Sequence, residues 1–200
     1  MVFDDILECH DSPKDLVPWK RLRGVGAFSS GDEAVVVPFA TFVRSRRLLI
    51  KPLIPLALVR QRGLRHSARM FAEDTEFFLQ LMAAGARLVY VPQALYLYRM
   101  TPNSLTMNPD RSRCMIEVLQ NAQEKLFSRP DERQALGVKV RQVARDLRYA
   151  PVLAALKEGN VFGVARLLLF RPDLAGEFVR RSAESVSYQM HRWWHQGKGR

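Results

Sequence analysis

The chain has 200 residues and a mass of 23.0 kDa, with 48% hydrophobic and 10% aromatic residues, enough apolar material for a core and too much for wholesale disorder. A formal charge of +11 and a pI near 10.3 point to an anionic partner; nucleic acid, an anionic membrane surface, a phosphorylated sugar donor and a lipid phosphate all fit. Two cysteines, Cys9 and Cys114, make neither a disulfide framework nor a zinc spacing, so they predict a reducing compartment and two small buried hydrophobes.

The first residues, MVFDDILECHD, are acidic where a secretion signal is basic, and no signal peptide is expected. Val2 to Leu7 predicts a short strand carrying Asp4 and Asp5, followed by a polar loop with Pro13 and Pro18. Because that strand starts directly after Met1, the expectation is a chain that begins inside a fold. Trp19 to Arg23 is basic, and Gly24 to Gly31 is a glycine and serine loop without the strand, turn and helix context of a phosphate loop. Ala34 to Val37 is a second candidate strand, and Phe39 to Val43 a further apolar run.

The next stretch is strongly basic. Arg44, Arg46, Arg47, Lys51, Arg60, Arg62, Arg65 and Arg69 follow one another with no acidic residue until Glu73. Such a block is either a solvated face or an electropositive wall able to hold a diphosphate or an anionic acceptor. The longest apolar run, Leu48 to Val59, is broken by Lys51, Pro52 and Pro55 and falls below the ~20 residues of a membrane span.

Phe71 to Thr106 is the most legible stretch. Glu73 and Asp74 stand at an expected helix start, Phe77, Phe78, Leu81 and Met82 recur at helical spacing, and Gly85 is placed as a left-handed C-cap. A carboxylate at a helix start interacts favourably with exposed N–H groups and the helix dipole, which suits a structural cap and a general base alike. Leu88 to Val91 and Ala94 to Tyr98 predict two strands separated by Pro92, and Thr101 to Met107 a turn in which Ser104 and Thr106 can hydrogen-bond a ligand or the turn itself.

From Pro109 onward the pattern turns helical. Met115, Val118, Leu119, Ala122 and Leu126 define one amphipathic helix; Leu136, Val140, Val143 and Leu147 define another that ends near Pro151. Further helices are expected over 152–157, 161–170 and from Pro172 towards Trp194, with a turn at Gly159 and Asn160. The organisation is therefore a mixed α/β part over 1–107 followed by an all-α C-terminal extension over 108–200.

An acidic pair (Glu73, Asp74), a helix, the Gly85-Ala86 step, the apolar strand Val89 to Pro92, then Tyr98-Arg99 and Ser104 resemble the second half of family 2 glycosyltransferases. The upstream segment LIKP, Leu49 to Pro52, is similar to the one preceding the acidic pair in bacterial exopolysaccharide transferases of the succinoglycan type. The resemblance covers roughly 1–106. It implies a partial GT-A-like mixed sheet with helices, a nucleotide-sugar donor, a saccharide or lipid-linked acceptor in surface polysaccharide biosynthesis, and inversion at the anomeric carbon. By the same resemblance Asp74 is the base that removes the acceptor proton, Glu73 shapes the acceptor side, and Arg99, Ser104, Lys51 and Tyr98 bind substrate. The family's nucleotide-binding half, with its Asp-x-Asp metal motif, has no counterpart in these residues. The divalent metal (Mg or Mn) of the complete family domain is thus expected to find its ligands outside this chain, and Asp4 and Asp5 fit the next strand of the fold better than that motif.

The tail spells Q-x-x-R-W over Gln189 to Trp193, a pattern of processive polysaccharide synthases that here lies too far beyond the acidic pair; it is read as coincidence. His191 and His195, four apart, lack a third metal ligand. From Val161 the tail carries Arg166, Arg171, Arg180, Arg181, Arg192, Lys198 and Arg200 against Asp173, Glu177 and Glu184, with Trp193 and Trp194 near its end. Tryptophan with arginine suits an anionic membrane interface; a helix packed on the main domain with a solvated basic face is the alternative. No helix-turn-helix, zinc finger or aromatic ribonucleoprotein motif accompanies the charge, so no nucleic acid is expected. Two functions follow: a truncated family 2 glycosyltransferase, cytoplasmic and peripheral on the inner membrane, or a non-catalytic remnant that docks on a membrane or partner.

Overall fold

The computed structural model describes residues 1–11, 16–22, 28, 31–45, 47–100, 109–179 and 182. They form an α/β fold in which a four-stranded mixed sheet packs against helices. The sheet has the order β2-β1-β4-β3, with β1 spanning Val2–Asp11, β2 Leu16–Arg21, β3 Val35–Val36 and β4 Val89–Arg99. β1 and β4 pair in parallel at the centre, while β2 and β3 add antiparallel edges. Parallel neighbours need a long crossover, and the chain between them supplies it with α1 (Phe39–Arg44), α2 (Leu56–Gln61) and α3 (Glu73–Ala83).

Two strand expectations need correction. β2 lies partly in the stretch read as a polar loop, because cross-strand pairing with β1 recruits Leu16, Val17 and Pro18, with Trp19 the extra residue where the register shifts. β4 is one strand and not two, since the sheet absorbs Pro92 in a bulge. Asp4 is opposite Val91, Asp5 opposite Ala94 and Ile6 opposite Tyr96, so β4 carries extra residues against β1. Proline has no N–H for the ladder and is tolerated at such bulges. The Asp4 carboxylate accepts the Leu95 N–H at 2.9 Å, and Asp5 Oδ1 accepts from Ile6 N–H at 2.8 Å. The two acids read as a strand feature thus hold the irregularity of the central pair.

α3 forms as its periodicity predicts, burying Phe77, Phe78, Leu79 and Leu81. It ends in a Schellman motif: Gly85 N–H donates to Met82 C=O at 3.0 Å, and Ala86 N–H to Leu81 C=O at 3.0 Å, with Gly85 at φ 95°. Phe3 of β1, Tyr90 of β4, Phe42 of α1 and, from the loop before β3, Phe28 form an aromatic cluster of edge-on and tilted rings with centroid separations of 5.1 to 6.0 Å.

The helical part consists of α4 (Pro109–Lys125), α5 (Pro130–Lys157), α6 (Val161–Phe170), a 3-10 turn at Pro172–Leu174 and helical residues 175–179. α5 runs through Pro151 where an end was expected. Tyr149 and Val152, on either side of the proline, are both fully buried, and burying two such side chains stabilises by roughly 1.5–3 kcal/mol each, enough to offset the ~3 kcal/mol cost of an interior proline. The main core crosses residue 108: Val118, Leu119, Ala122 and Phe127, with Ala135 and Leu136, join the sheet and α3 in one cluster. Phe39 stacks on Phe127 at 4.2 Å, and Lys139 Nζ donates to the Ser45 carbonyl at 2.7 Å at the end of α1. A second cluster gathers Tyr149, Val152, Ala155, Val164 and Leu174. Among the described residues no helix is long and apolar enough to cross a membrane.

Candidate functional site

The acidic pair sits in the first turn of α3, preceded by Ala72 in the left-handed region at φ 62°, ψ 14°. Ala72 is the only non-glycine residue with positive φ among the described residues. An L-residue pays roughly 1–2 kcal/mol for that geometry, and strained backbone of this kind clusters at functional sites and switches. Here the kink swings the chain from the buried Phe71 into the helix and sets Glu73 and Asp74 half-buried at its mouth. Asp74 Oδ1 accepts from the Thr75 N–H at 2.6 Å and the Thr75 hydroxyl at 3.3 Å. Neither Asp74 Oδ2 nor the Glu73 carboxylate has a hydrogen-bond or ion-pair partner among the described residues. Asp74 is therefore pinned through one oxygen and keeps the other available as an acceptor.

The segment before α3 packs over its first turns. His66 stacks on Phe77 with ring centroids 4.1 Å apart, and Ser67 Oγ donates to Glu76 Oε2 at 2.6 Å. Arg69 bridges Glu76 of α3 (3.4 Å) and Glu117 of α4 (3.1 Å). Glu76, and not Asp74, is thus the acid of this turn committed to structure.

Tyr98 and Arg99 lie at the carboxyl end of β4, opposite Glu8 and Cys9 of β1. Ligands of open α/β sheets bind outside such strand ends. Lys51 is exposed and two residues before Leu53, whose backbone pairs with Val2 at the start of β1. Val2 and Cys9 are seven strand steps apart, roughly 20 Å at ~3.3 Å per residue, so Lys51 sits towards the opposite end of the parallel pair from Tyr98 and Arg99. Ser104, the turn around it and the Q-x-x-R-W, His191 and His195 positions lie outside the described residues, as does most of the glycine and serine loop.

One polar constellation escaped the sequence reading. Glu8, only 2% exposed, stands in a row with Lys20 of β2 and Tyr98 of β4. Its carboxylate forms an ion pair with Arg47 and lies 3.9 Å from Lys20 Nζ, which also rests 4.0 Å over the Trp19 ring. A buried carboxylate needs such partners. The clue was available: Glu8 falls in an apolar strand, and the basic Trp19 to Arg23 stretch and the Arg44 to Arg69 run were sources of compensating charge. Arg47 and Arg69 thus leave the proposed basic wall to serve as ion-pair partners, while Arg44, Arg60, Arg62 and Arg65 remain exposed.

Cys9, fully buried beside Glu8, donates its thiol to the Leu7 carbonyl at 3.3 Å, and burial pushes the thiol pKa up. It behaves as a small hydrophobe and not as a nucleophile. Among the described residues no three His, Cys, Asp or Glu side chains gather into a group able to hold a metal ion, and Asp4 and Asp5 are engaged by the β4 bulge. The divalent metal implied by the resemblance has no fitting ligand set in them. Comparison of the chain with protein-family models, with curated proteins and with solved structures finds no match.

Proposed function

We propose that this chain is the acceptor-side part of an inverting family 2 glycosyltransferase, with Asp74 as the general base. The observation that carries the reading is the left-handed Ala72, which delivers to the first turn of α3 two half-buried carboxylates without ion-pair partners among the described residues. A merely capping acid needs no strained residue before it. The acceptor hydroxyl attacks the anomeric carbon of a nucleotide sugar on the face opposite the diphosphate. As the new C–O bond forms, the bond to the nucleoside diphosphate breaks and its electron pair departs with the phosphate oxygen, while the hydroxyl proton passes to the Asp74 carboxylate. A helix N-terminus favours the negative charge that the base needs before transfer. Glu73 borders the acceptor, and Tyr98 and Arg99, at the strand ends, suit the diphosphate or the acceptor sugar. Ser104 and Lys51 join the set by resemblance alone, and Lys51 is the member farthest removed along the sheet. The acceptor of this reading is a saccharide or lipid-linked saccharide of surface polysaccharide assembly at the cytoplasmic membrane face.

The test is transfer from a panel of nucleotide sugars, comparing the wild-type protein with Asp74→Asn. Loss of a general base lowers turnover by about 10²–10⁴-fold, with the melting temperature unchanged. Full turnover by Asp74→Asn overturns the assignment. A second reading, a docking module without transfer activity, is favoured by the exposed apolar face of α6; it predicts no thermal shift with any nucleotide sugar.

A further inference from the structure

α6 has the sequence VFGVARLLLF with Arg166 as its only charge. At 100° per residue one side of this helix, centred on Val164, turns into the cluster of Tyr149, Val152, Ala155 and Leu174. The other side faces water, with Phe162 at 91% exposure, Leu169 at 78%, Val161 at 75% and Phe170 at 71%. These four span about half the helix circumference and form an apolar face, interrupted only by Arg166 and the small Ala165 among the described residues, where a solvated helix carries polar residues. Arg166 is exposed within that face, between Phe162 and Phe170 around the helix, where its long side chain can carry the charge out past the apolar groups, and it has no partner among the described residues. On α5 the exposed Arg141, Arg145 and Arg148 follow one another at helical spacing, and the charge of Arg148 reaches Asp173 just past the end of α6. These cations lie on the helix that α6 packs against, in a chain of net charge +11.

We propose that α6 lies in the plane of an anionic membrane surface, with Val161, Phe162, Leu169 and Phe170 buried at the headgroup–acyl boundary and Arg166 among the lipid phosphates. A second copy of the chain is a poorer occupant. The ten-residue helix is ~15 Å long, and its one face falls short of the ~800 Å² per partner that a stable protein interface buries. A bilayer needs no complementary shape, and helices lying in the interface bury their apolar side about 5–10 Å deep. The helix N-terminus is built to stay folded there: Asn160 Oδ1 accepts the Gly163 N–H at 2.7 Å. The proposal shares with the glycosyltransferase reading only the expectation of a membrane setting, and it does not depend on sugar transfer.

The experiment is co-flotation of the full chain with vesicles of pure phosphatidylcholine and of phosphatidylcholine with one quarter phosphatidylglycerol, for wild type, Phe162→Asp/Leu169→Asp and Arg166→Glu. Expected are binding to the anionic vesicles that weakens with salt, a loss of about tenfold or more in the double variant at unchanged melting temperature, and a smaller loss for Arg166→Glu. A Phe162→Trp variant adds a fluorescence component that brominated lipid quenches, which checks insertion without removing apolar surface. Wild-type binding by the double variant overturns the proposal, as does failure of the wild-type chain to bind anionic vesicles. A concentration-dependent dimer abolished by Phe162→Asp/Leu169→Asp, without vesicle binding, assigns the face to a second copy and also overturns it. Asp74→Asn is expected to bind vesicles like wild type, so failure of the transfer reading and failure of this proposal are separately visible.

Discussion

Ala72 combines two opposed effects in one small residue. Its left-handed backbone costs roughly 1–2 kcal/mol, yet its methyl is buried at 5% exposure and contributes about 0.8 kcal/mol. Ala72→Gly relieves the first and forfeits the second, so chemical denaturation should show a change within about 1 kcal/mol. Ala72→Val adds a β-branched side chain to the same geometry and should destabilise by about 2 kcal/mol or more, because such residues are genuine outliers at positive φ. Equal stability of the two variants would show that the backbone there is not under strain. Glu8 and Arg47 offer a second residue-level contrast. Removing Arg47 leaves a buried carboxylate with, among the described residues, only Lys20 at 3.9 Å, at a cost of about 3 kcal/mol. Glu8→Gln leaves cations whose side chains are 42% and 33% exposed and can return to water, so it should cost less. The double variant Glu8→Gln/Arg47→Ala should be more stable than Arg47→Ala alone in urea unfolding; the opposite order would mean that Glu8 is not charged in the folded protein.

At the scale of elements, α3 and α5 show when local signals prevail and when they do not. α3 begins at its acidic pair and ends at Gly85 because helical spacing, terminal charge and a left-handed glycine all agree. α5 contains a proline that local rules treat as an end, and tertiary burial of Tyr149 and Val152 carries the helix through it. Pro151→Ala restores an N–H to the Leu147 carbonyl four residues earlier. It should raise stability by about 1 kcal/mol, less than the ~3 kcal/mol of a proline placed in an unadapted helix. A lower melting temperature for Pro151→Ala would mean that the ring itself contributes packing to α5. β4 makes the same point in a sheet: Pro92 looks like a gap between strands and becomes part of an irregular register, in which the Asp4 carboxylate accepts the N–H of Leu95, the extra residue of the second register shift.

Across the whole molecule, the change of composition at residue 108 does not divide the core. Val118, Leu119, Ala122, Phe127, Ala135 and Leu136 complete the cluster that Phe3, Tyr90 and the inner face of α3 begin. A chain cut after residue 107 should therefore show no cooperative thermal transition, whereas the intact protein should melt in one main step involving sheet, α3, α4 and the first half of α5. Cooperative melting of 1–107 alone would separate the sheet from the helices that cover it. The smaller cluster around Tyr149 and Val164 is poorer in apolar contacts and should open first in hydrogen exchange.

What the sequence determined by itself was local: the helix over 73–83 with its acidic start and glycine end, a strand within 2–7 and one within 34–37, helices between 109 and 170, and the excess of positive charge. Each is set by neighbours a few residues apart, through periodicity, capping and turn chemistry. The tertiary structure decided what depends on residues far apart in the chain. It brought Arg47 to Glu8, joined two expected strands across Pro92, carried α5 past Pro151, placed Lys51 away from Tyr98 and Arg99, and left one side of α6 bare. The physical reason is the same in each case. Burial and charge compensation act between side chains that only the folded chain brings together, and their energies of a few kcal/mol exceed the tenths by which local propensity chooses.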